Sequence, residues 1–230
     1  MGITTNTYDT VGEILSQKSV SNLPLEVIEQ VLKDFKGSIE QIPPDFSAVH
    51  YKGKRLYELA RKGIEVPKKT RTVYIKKLEI FKYYPQGPHP RIIIDITCSK
   101  GTYIRTLCSD IGEKLGTGAV LSFLIRTSSG PFKLEDSLTI EEIKENISKG
   151  NYDFILPMNY LVKHLPVIEV DLSDVKRIKN GSTISMKQLN DKILKNNSMA
   201  QIIHNDKLIA VGQVIISNGK KLIKPKKVFI

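Results

Sequence analysis

The residues best suited to chemistry crowd into one stretch, Cys98-Ser-Lys-Gly-Thr-Tyr-Ile-Arg105 and its continuation to Ala119. The alternation ahead of it, with Ile92, Ile94, Ile96 and Cys98 on one face, predicts a strand over 91–98. After Ser99-Lys100-Gly101-Thr102, the residues Ile104, Leu107, Ile111 and Leu115 recur at helical spacing and predict a helix over 103–115. Arg105 then falls in the first turn of that helix, where the aligned peptide dipoles leave a partial positive charge. A cation there costs roughly 0.3–1 kcal/mol unless an anion compensates it. The position four residues on is Ser109, so the helix supplies no carboxylate of its own. Either Arg105 is a solvated surface side chain, or its anion comes from elsewhere: a distant carboxylate or an RNA phosphate.

A second constellation lies in Tyr51–Lys77, where tyrosines alternate with cations. Lys52, Lys54, Arg55, Arg61 and Lys62 can neutralise phosphates, and Tyr51 and Tyr57 can stack on unpaired bases. The plainer reading is a short amphipathic helix through Leu56, Leu59 and Ala60 that stops at Gly63, with the tyrosines packed beside it. The two are compatible, since a helix can bury one face and present cations on the other.

Charge separates the two constellations from the rest. The chain has 230 residues and a net charge of +11, with an isoelectric point near 9.5. Residues 1–50 carry −4, 51–82 carry +8, 83–150 are neutral and 151–230 carry +7. Confinement of the surplus to two blocks points to a polyanionic partner rather than to a generally basic surface. At 40% hydrophobic and 26% charged the composition is that of a folded globular protein. No apolar run reaches the length of a membrane span, and the first residues show no signal peptide. Two cysteines, Cys98 and Cys108, and four scattered histidines give neither a disulfide framework nor a metal-ligand spacing. A reducing, cytoplasmic setting is expected.

The elements that must position these residues follow from periodicity and turn chemistry. Helices are expected over 24–36, 138–149 and 171–180, the last with Ser173 as its N-cap and Gly181 as its stop. Strands are expected over 71–83 and 120–128, flanking the strand and helix already described. Beyond a connector at 151–166, the runs 201–204, 207–216 and 221–230 are separated by Asn205-Asp206 and Asn218-Gly219, which read as hairpin turns. Helix, strand and basic loop alternate without strict βαβ repetition, so the fold class is α+β, with a small C-terminal β-barrel.

At these residues the chain resembles the tRNA pseudouridine synthase B (TruB) family. Cys98–Arg105 matches that family's CSKGTYIR motif at every position. Gly2–Gly12 is similar to its LG-x-x-TDT-x-D-x-x-G segment. Gln41-Ile-Pro-Pro44 with Ser47-Ala-Val49, and Gly53–Gly63, resemble its Q-x-PP-x-[YF]-SA-[VL] and GK-[KR]-LYE-x-AR-x-G stretches. The C-terminal 65 residues resemble the PUA-like RNA-binding module that such enzymes carry.

The resemblance implies an incomplete mixed-sheet synthase domain over 1–165, with a basic thumb-like insertion at about 41–73, followed by a PUA-like domain over 166–230. It implies isomerisation of uridine 55 in the T-loop of tRNA, without metal or cofactor. By matched position Arg105 is the active-site arginine that pairs with the catalytic aspartate, and Asp9 is a second active-site carboxylate. Tyr103 and Leu124 line the pocket for the flipped uridine. Lys100, Tyr51, Lys52, Lys54, Arg55, Tyr57 and Arg61 contact RNA. Asn6, Asp45 and His50 depart from the family pattern. The largest departure is the nucleophilic aspartate: none of the eleven aspartates follows the family's Gly-x-Leu-Asp context. The expectation is a chain inactive alone, monomeric or joined by the missing N-terminal part in trans. The alternative is a non-catalytic RNA-binding fragment.

Overall fold

A computed structural model describes residues 1–185, 195–217 and 219–230. The chain divides into two compact units, 1–125 and 126–230.

The first unit opens with an antiparallel pair, β1 (Ile3–Thr5) and β2 (Ile14–Gln17). Helix α1 (Leu25–Lys33) follows, entered through Pro24, and is shorter than the expected 24–36 because its last residues tighten into a turn before Gly37. Strand β3 (Gly37–Gln41), the two-residue strands β4 (His50–Tyr51) and β5 (Lys54–Arg55), and helix α2 (Leu56–Ala60) come next. The long strand β6 (Arg71–Tyr84) then turns through 85–90 into β7 (Arg91–Cys98). The antiparallel order is β3-β6-β7. Helix α3 (Ile104–Lys114) closes the unit's core, in which Ile28 and Leu32 of α1, Ile75 and Leu78 of β6, and Leu107 and Ile111 of α3 are buried together. Each such side chain contributes roughly 1.5–3 kcal/mol on burial. Ile92, Ile94 and Ile96 pack against this core as half-buried neighbours, so the alternation in β7 does set its inward face.

One expectation fails here. Residues 120–128 do not form a strand: Leu121 makes a single parallel bridge to Asp9, and 122–127 run on without a ladder. Apolar residues make a strand only where a second edge receives their backbone groups. Phe123, Leu124 and Ile125 are instead exposed.

The C-terminal end of α3 is sewn to the loop that follows it. Gly112 C=O accepts from Thr117 N–H and Gly118 N–H, and Gly118 C=O accepts from Gly2 N–H. A Cβ on Gly112 would overlap the backbone nitrogen of Ala119, which has nowhere to move. Gly112→Ala is therefore expected to lower stability by roughly 1–3 kcal/mol, as overpacking does. Urea denaturation of the two proteins checks this; an unchanged midpoint would contradict the close approach.

The second unit begins with a hairpin, β8 (Ser128–Ser129) and β9 (Phe132–Lys133), and helix α4 (Ile140–Ser148). Thr139 caps α4 reciprocally with Glu142. Strand β10 (Val167–Glu169) leads to α5 (Leu172–Lys179). The N-cap of α5 is Asp171, whose Oδ1 accepts from Asp174 N–H, and not Ser173, whose hydroxyl donates to that same oxygen. Both types suit the position; aspartate two residues earlier starts the helix sooner. Strands β11 (Ile184–Ser185), β12 (Met199–His204), β13 (Lys207–Ser217) and β14 (Lys220–Val228) complete a mixed sheet of order β10-β12-β13-β14-β11. Ile178 of α5 is fully buried together with Ile184, Ala200, Ile202, Ala210, Val214 and Ile223 of this sheet. The Asn205-Asp206 turn has both residues at positive φ, as a two-residue hairpin demands. Asn218 of the second expected turn lies outside the described residues.

Candidate active site and RNA-binding surface

Arg105 stands in the first turn of α3, as the sequence places it, and its compensating anion is a carboxylate 96 positions away. Its Nη1 donates to Asp9 Oδ2 at 3.1 Å and to Thr7 C=O at 3.4 Å, and its Nη2 donates to Phe46 C=O at 2.8 Å. Both side chains of the pair are about one quarter exposed, enough burial to strengthen the attraction and still leave one side open.

The loop bearing Asp9 is built for this purpose. Thr5, buried in β1, donates its hydroxyl to Asp9 C=O at 2.7 Å, and Tyr8 sits at φ 62 to turn the chain. A left-handed tyrosine costs of the order of 1–3 kcal/mol and persists only where its surroundings demand it. Thr10 N–H donates to Leu121 C=O and Leu121 N–H to Tyr8 C=O, which ties the loop to the segment leaving α3. Asn6 Oδ1 accepts from Glu13 N–H across the loop, a bond that the aspartate of the family pattern would also make. The departure at this position keeps that acceptor.

Three donors converge on the Asp9 carboxylate: Thr7 Oγ1 at 2.6 Å, Val11 N–H at 3.2 Å and Arg105. Partial burial pushes its pKa up, but the bonds from Thr7 and Val11 together with the guanidinium outweigh burial and hold it below the usual carboxylate value. The site thus keeps an ionised carboxylate and an oriented arginine. Asp110, further along α3, behaves oppositely: burial and the neighbouring charge of Glu113 push it up to about 6.

Of the other expected residues, Tyr103 is the N-cap residue of α3. Lys100 is exposed in the turn before it. Leu124 is 56% exposed, three residues past the bridge at Leu121. Tyr51, Lys52, Lys54, Arg55, Tyr57 and Arg61 lie together on the β4–β5 hairpin and α2. Lys52 and Gly53 both have positive φ at its turn. Leu56 and Leu59 are buried while the cations stay exposed, so α2 serves both readings of this block. Lys52 Nζ lies 5.5 Å from the Tyr51 ring centre, and Arg55 and Arg61 lie 5.9 and 5.5 Å from that of Tyr57. Asp45 pairs with Lys68 at 2.8 Å, bracing the base of the same segment. Sequence reasoning missed Thr7, whose position two residues before Asp9 is an available signal, and the carbonyl of Phe46, which has none. Among the described residues no group of three or more His, Cys, Asp or Glu could hold a metal ion, and no helix is long and apolar enough to cross a membrane.

Comparison with known proteins gives a consistent set of likenesses. Residues 1–104 match the TruB family pseudouridylate synthase N-terminal domain, and residues 105–163 the tRNA pseudouridylate synthase B C-terminal domain. The chain is 47% identical over 195 residues to tRNA pseudouridine synthase B of Alkaliphilus oremlandii, covering 84% of this chain and 62% of that protein. It is 37% identical over 228 residues to the protein of the same name from Heliobacterium mobile, covering 99% and 72% respectively. A chain in the crystal structure of a Cbf5-Nop10-Gar1 complex superimposes with a TM-score of 0.68 at 28% identity, over 93% of this chain and 64% of that one. The chain spans about three fifths of the length of the first curated relatives it matches.

Proposed function

This chain belongs to the TruB family of pseudouridine synthases, and from that premise we propose that it supplies the arginine-bearing and RNA-holding part of an enzyme that isomerises uridine 55 in the T-loop of tRNA to pseudouridine. The observation that carries the proposal is the Arg105–Asp9 pair, with the second guanidinium nitrogen on Phe46 C=O beside the cationic insertion. In this reading the target uridine leaves the base stack. An aspartate then attacks as nucleophile, the glycosidic N1–C1′ bond breaks, and the base rotates and reattaches through C5, which releases the carboxylate, gives up its proton and leaves N1 protonated. Arg105 keeps the carboxylates of the site ionised and aimed. Tyr103 and Leu124 border the base, and Lys100 contacts the RNA. No metal or organic cofactor takes part.

The segment 41–73 acts as the thumb that grips the T-loop. Lys52, Lys54, Arg55 and Arg61 neutralise phosphates, and Tyr51 and Tyr57 offer rings to unstacked bases. Residues 166–230 serve as the PUA-like module. Its charge surplus makes it a second phosphate surface, and we place its boundary at 165/166, inside the second compact unit. The protein works on tRNA in the cytoplasm. A second reading, an RNA-binding chain with no catalysis of its own, is favoured by the absence of a Gly-x-Leu-Asp sequence among its eleven aspartates.

Binding of a T-arm hairpin RNA to the chain tests the RNA-holding role. The logarithm of the binding constant should fall linearly with the logarithm of salt. Replacing any one of Lys52, Lys54, Arg55 or Arg61 by alanine should reduce the slope by about 0.7–0.9 for each phosphate that is no longer neutralised. A salt-independent constant, or slopes unchanged in all four variants, would remove the thumb from the interface.

A further inference from the structure

The amide of Gln41 makes a connection that the proposed mechanism does not use. Gln41 is the last residue of β3, paired with Arg71 in the ladder, and only 2% exposed. Both of its polar atoms meet a single residue 62 positions on: Oε1 accepts from Tyr103 N–H at 3.0 Å, and Nε2 donates to Tyr103 C=O at 3.2 Å. Tyr103 is the N-cap residue of α3, in extended conformation and without a side-chain cap. Its carbonyl also accepts the first helical bond, from Leu107 N–H at 3.0 Å. The start of the helix is therefore fixed by a side chain from the neighbouring strand rather than by a local Ser, Thr or Asp.

The same strand end holds Arg105 a second time. Past Pro43 and the buried Pro44, Phe46 C=O accepts from Arg105 Nη2 at 2.8 Å. The link 41–46 thus grips α3 at its N-cap and, two residues later, at the tip of the arginine. Slippage by a single residue turns a helix by about 100° and moves it by about 1.5 Å, which would carry the guanidinium off Asp9. Only a side chain with adjacent donor and acceptor can satisfy both backbone groups of Tyr103. An apolar residue would strand the Tyr103 N–H and leave its carbonyl only the helical bond from Leu107, and a carboxylate would face the carbonyl with charge.

We infer that Gln41 is a positioning residue for Arg105: its buried amide clamps the N-cap of α3 to the end of β3 and thereby aims the guanidinium at Asp9 and Phe46. The catalytic meaning of this clamp rests on the function proposed above. The clamp itself is read on the guanidinium, in the 230-residue chain without RNA, so failure of the synthase reading leaves its test untouched.

The experiment compares Gln41→Leu and Gln41→Glu with the parent by NMR of the Arg105 guanidinium and of the Asp9 carboxyl, with circular dichroism as the check on folding. In folded Gln41→Leu the Arg105 Nη–H groups should lose their protection, and the Asp9 titration should move up towards the ordinary carboxylate value. In Gln41→Glu the neutral carboxyl can both donate and accept. Its spectrum should match the parent at low pH and change to that of Gln41→Leu once the introduced carboxyl ionises. A folded Gln41→Leu with the parent's Arg105 signals and Asp9 titration would overturn the inference. Where Gln41→Leu does not fold, a Gln41→Glu guanidinium spectrum that stays constant with pH would do so. Unfolding of both variants would assign Gln41 to stability alone and equally end the positioning role.

Discussion

Incubated with a T-arm RNA, the 230-residue chain is expected to leave the target uridine unchanged, as read by nucleoside chromatography of the digested RNA. The reason is the sequence context: none of the eleven aspartates lies in the Gly-x-Leu-Asp context of the family's nucleophile, and Asp9 is held by Thr7, Val11 and Arg105 as the partner that orients the guanidinium. Supplying in trans a segment of a relative that carries Gly-x-Leu-Asp should turn the assay positive. In that mixture Arg105→Met should then lower the rate by roughly 10²–10³, the effect of deleting one oriented electrostatic donor. Pseudouridine formed by the chain alone would make Asp9 the nucleophile and overturn this assignment. Full activity of Arg105→Met would remove the arginine from the mechanism.

Arg105 marks how far the sequence carries and where it stops. Periodicity places β7 to the residue and α3 to within one residue at each end, because one face of each element packs on a core that the apolar spacing specifies. It follows that an arginine in the first turn wants an anion. Which anion is a matter of tertiary structure: Asp9 is 96 positions away, on a loop held by Thr5, Tyr8 and the bridge to Leu121. Within the sequence, only the family resemblance connects the two residues. The Phe46 carbonyl carries no side-chain signature, and Gln41 reads only as the first residue of the Gln41–Pro44 motif until its amide meets Tyr103. The segment 120–128 fails for the complementary reason. Its composition favours a strand, but a strand also requires a neighbour, and its apolar residues beyond Leu121 lie exposed instead.

Asp9→Asn should cost the folded chain about 1.5–3 kcal/mol at neutral pH, the range for a hydrogen bond to a charged group. The asparagine oxygen can still accept from Thr7 and Val11, but its amide nitrogen would face the Arg105 guanidinium donor to donor. The substitution therefore isolates the ion pair from the rest of the loop. Its pH dependence has a definite sign. Asp9 has a folded pKa below its unfolded value of 3.8, so the unfolded chain binds the proton more readily and stability rises with pH between the two values. The contribution is fully present above about pH 5 and is lost as pH falls through the folded pKa. Asp110 contributes in the opposite sense. Its pKa, raised to about 6 by burial and by Glu113, gives stability that is present below 3.8 and lost as pH rises through about 6. A single pH profile of the parent mixes the two, whereas the difference between parent and Asp9→Asn cancels Asp110, which both proteins retain. That difference, from urea denaturation at successive pH values, should be flat from about pH 5 to 8 and shrink in acid. A difference that grew in acid, or was absent at neutral pH, would mean that the guanidinium is held by Phe46 and Thr7 alone and that the Asp9 carboxylate is incidental to its position.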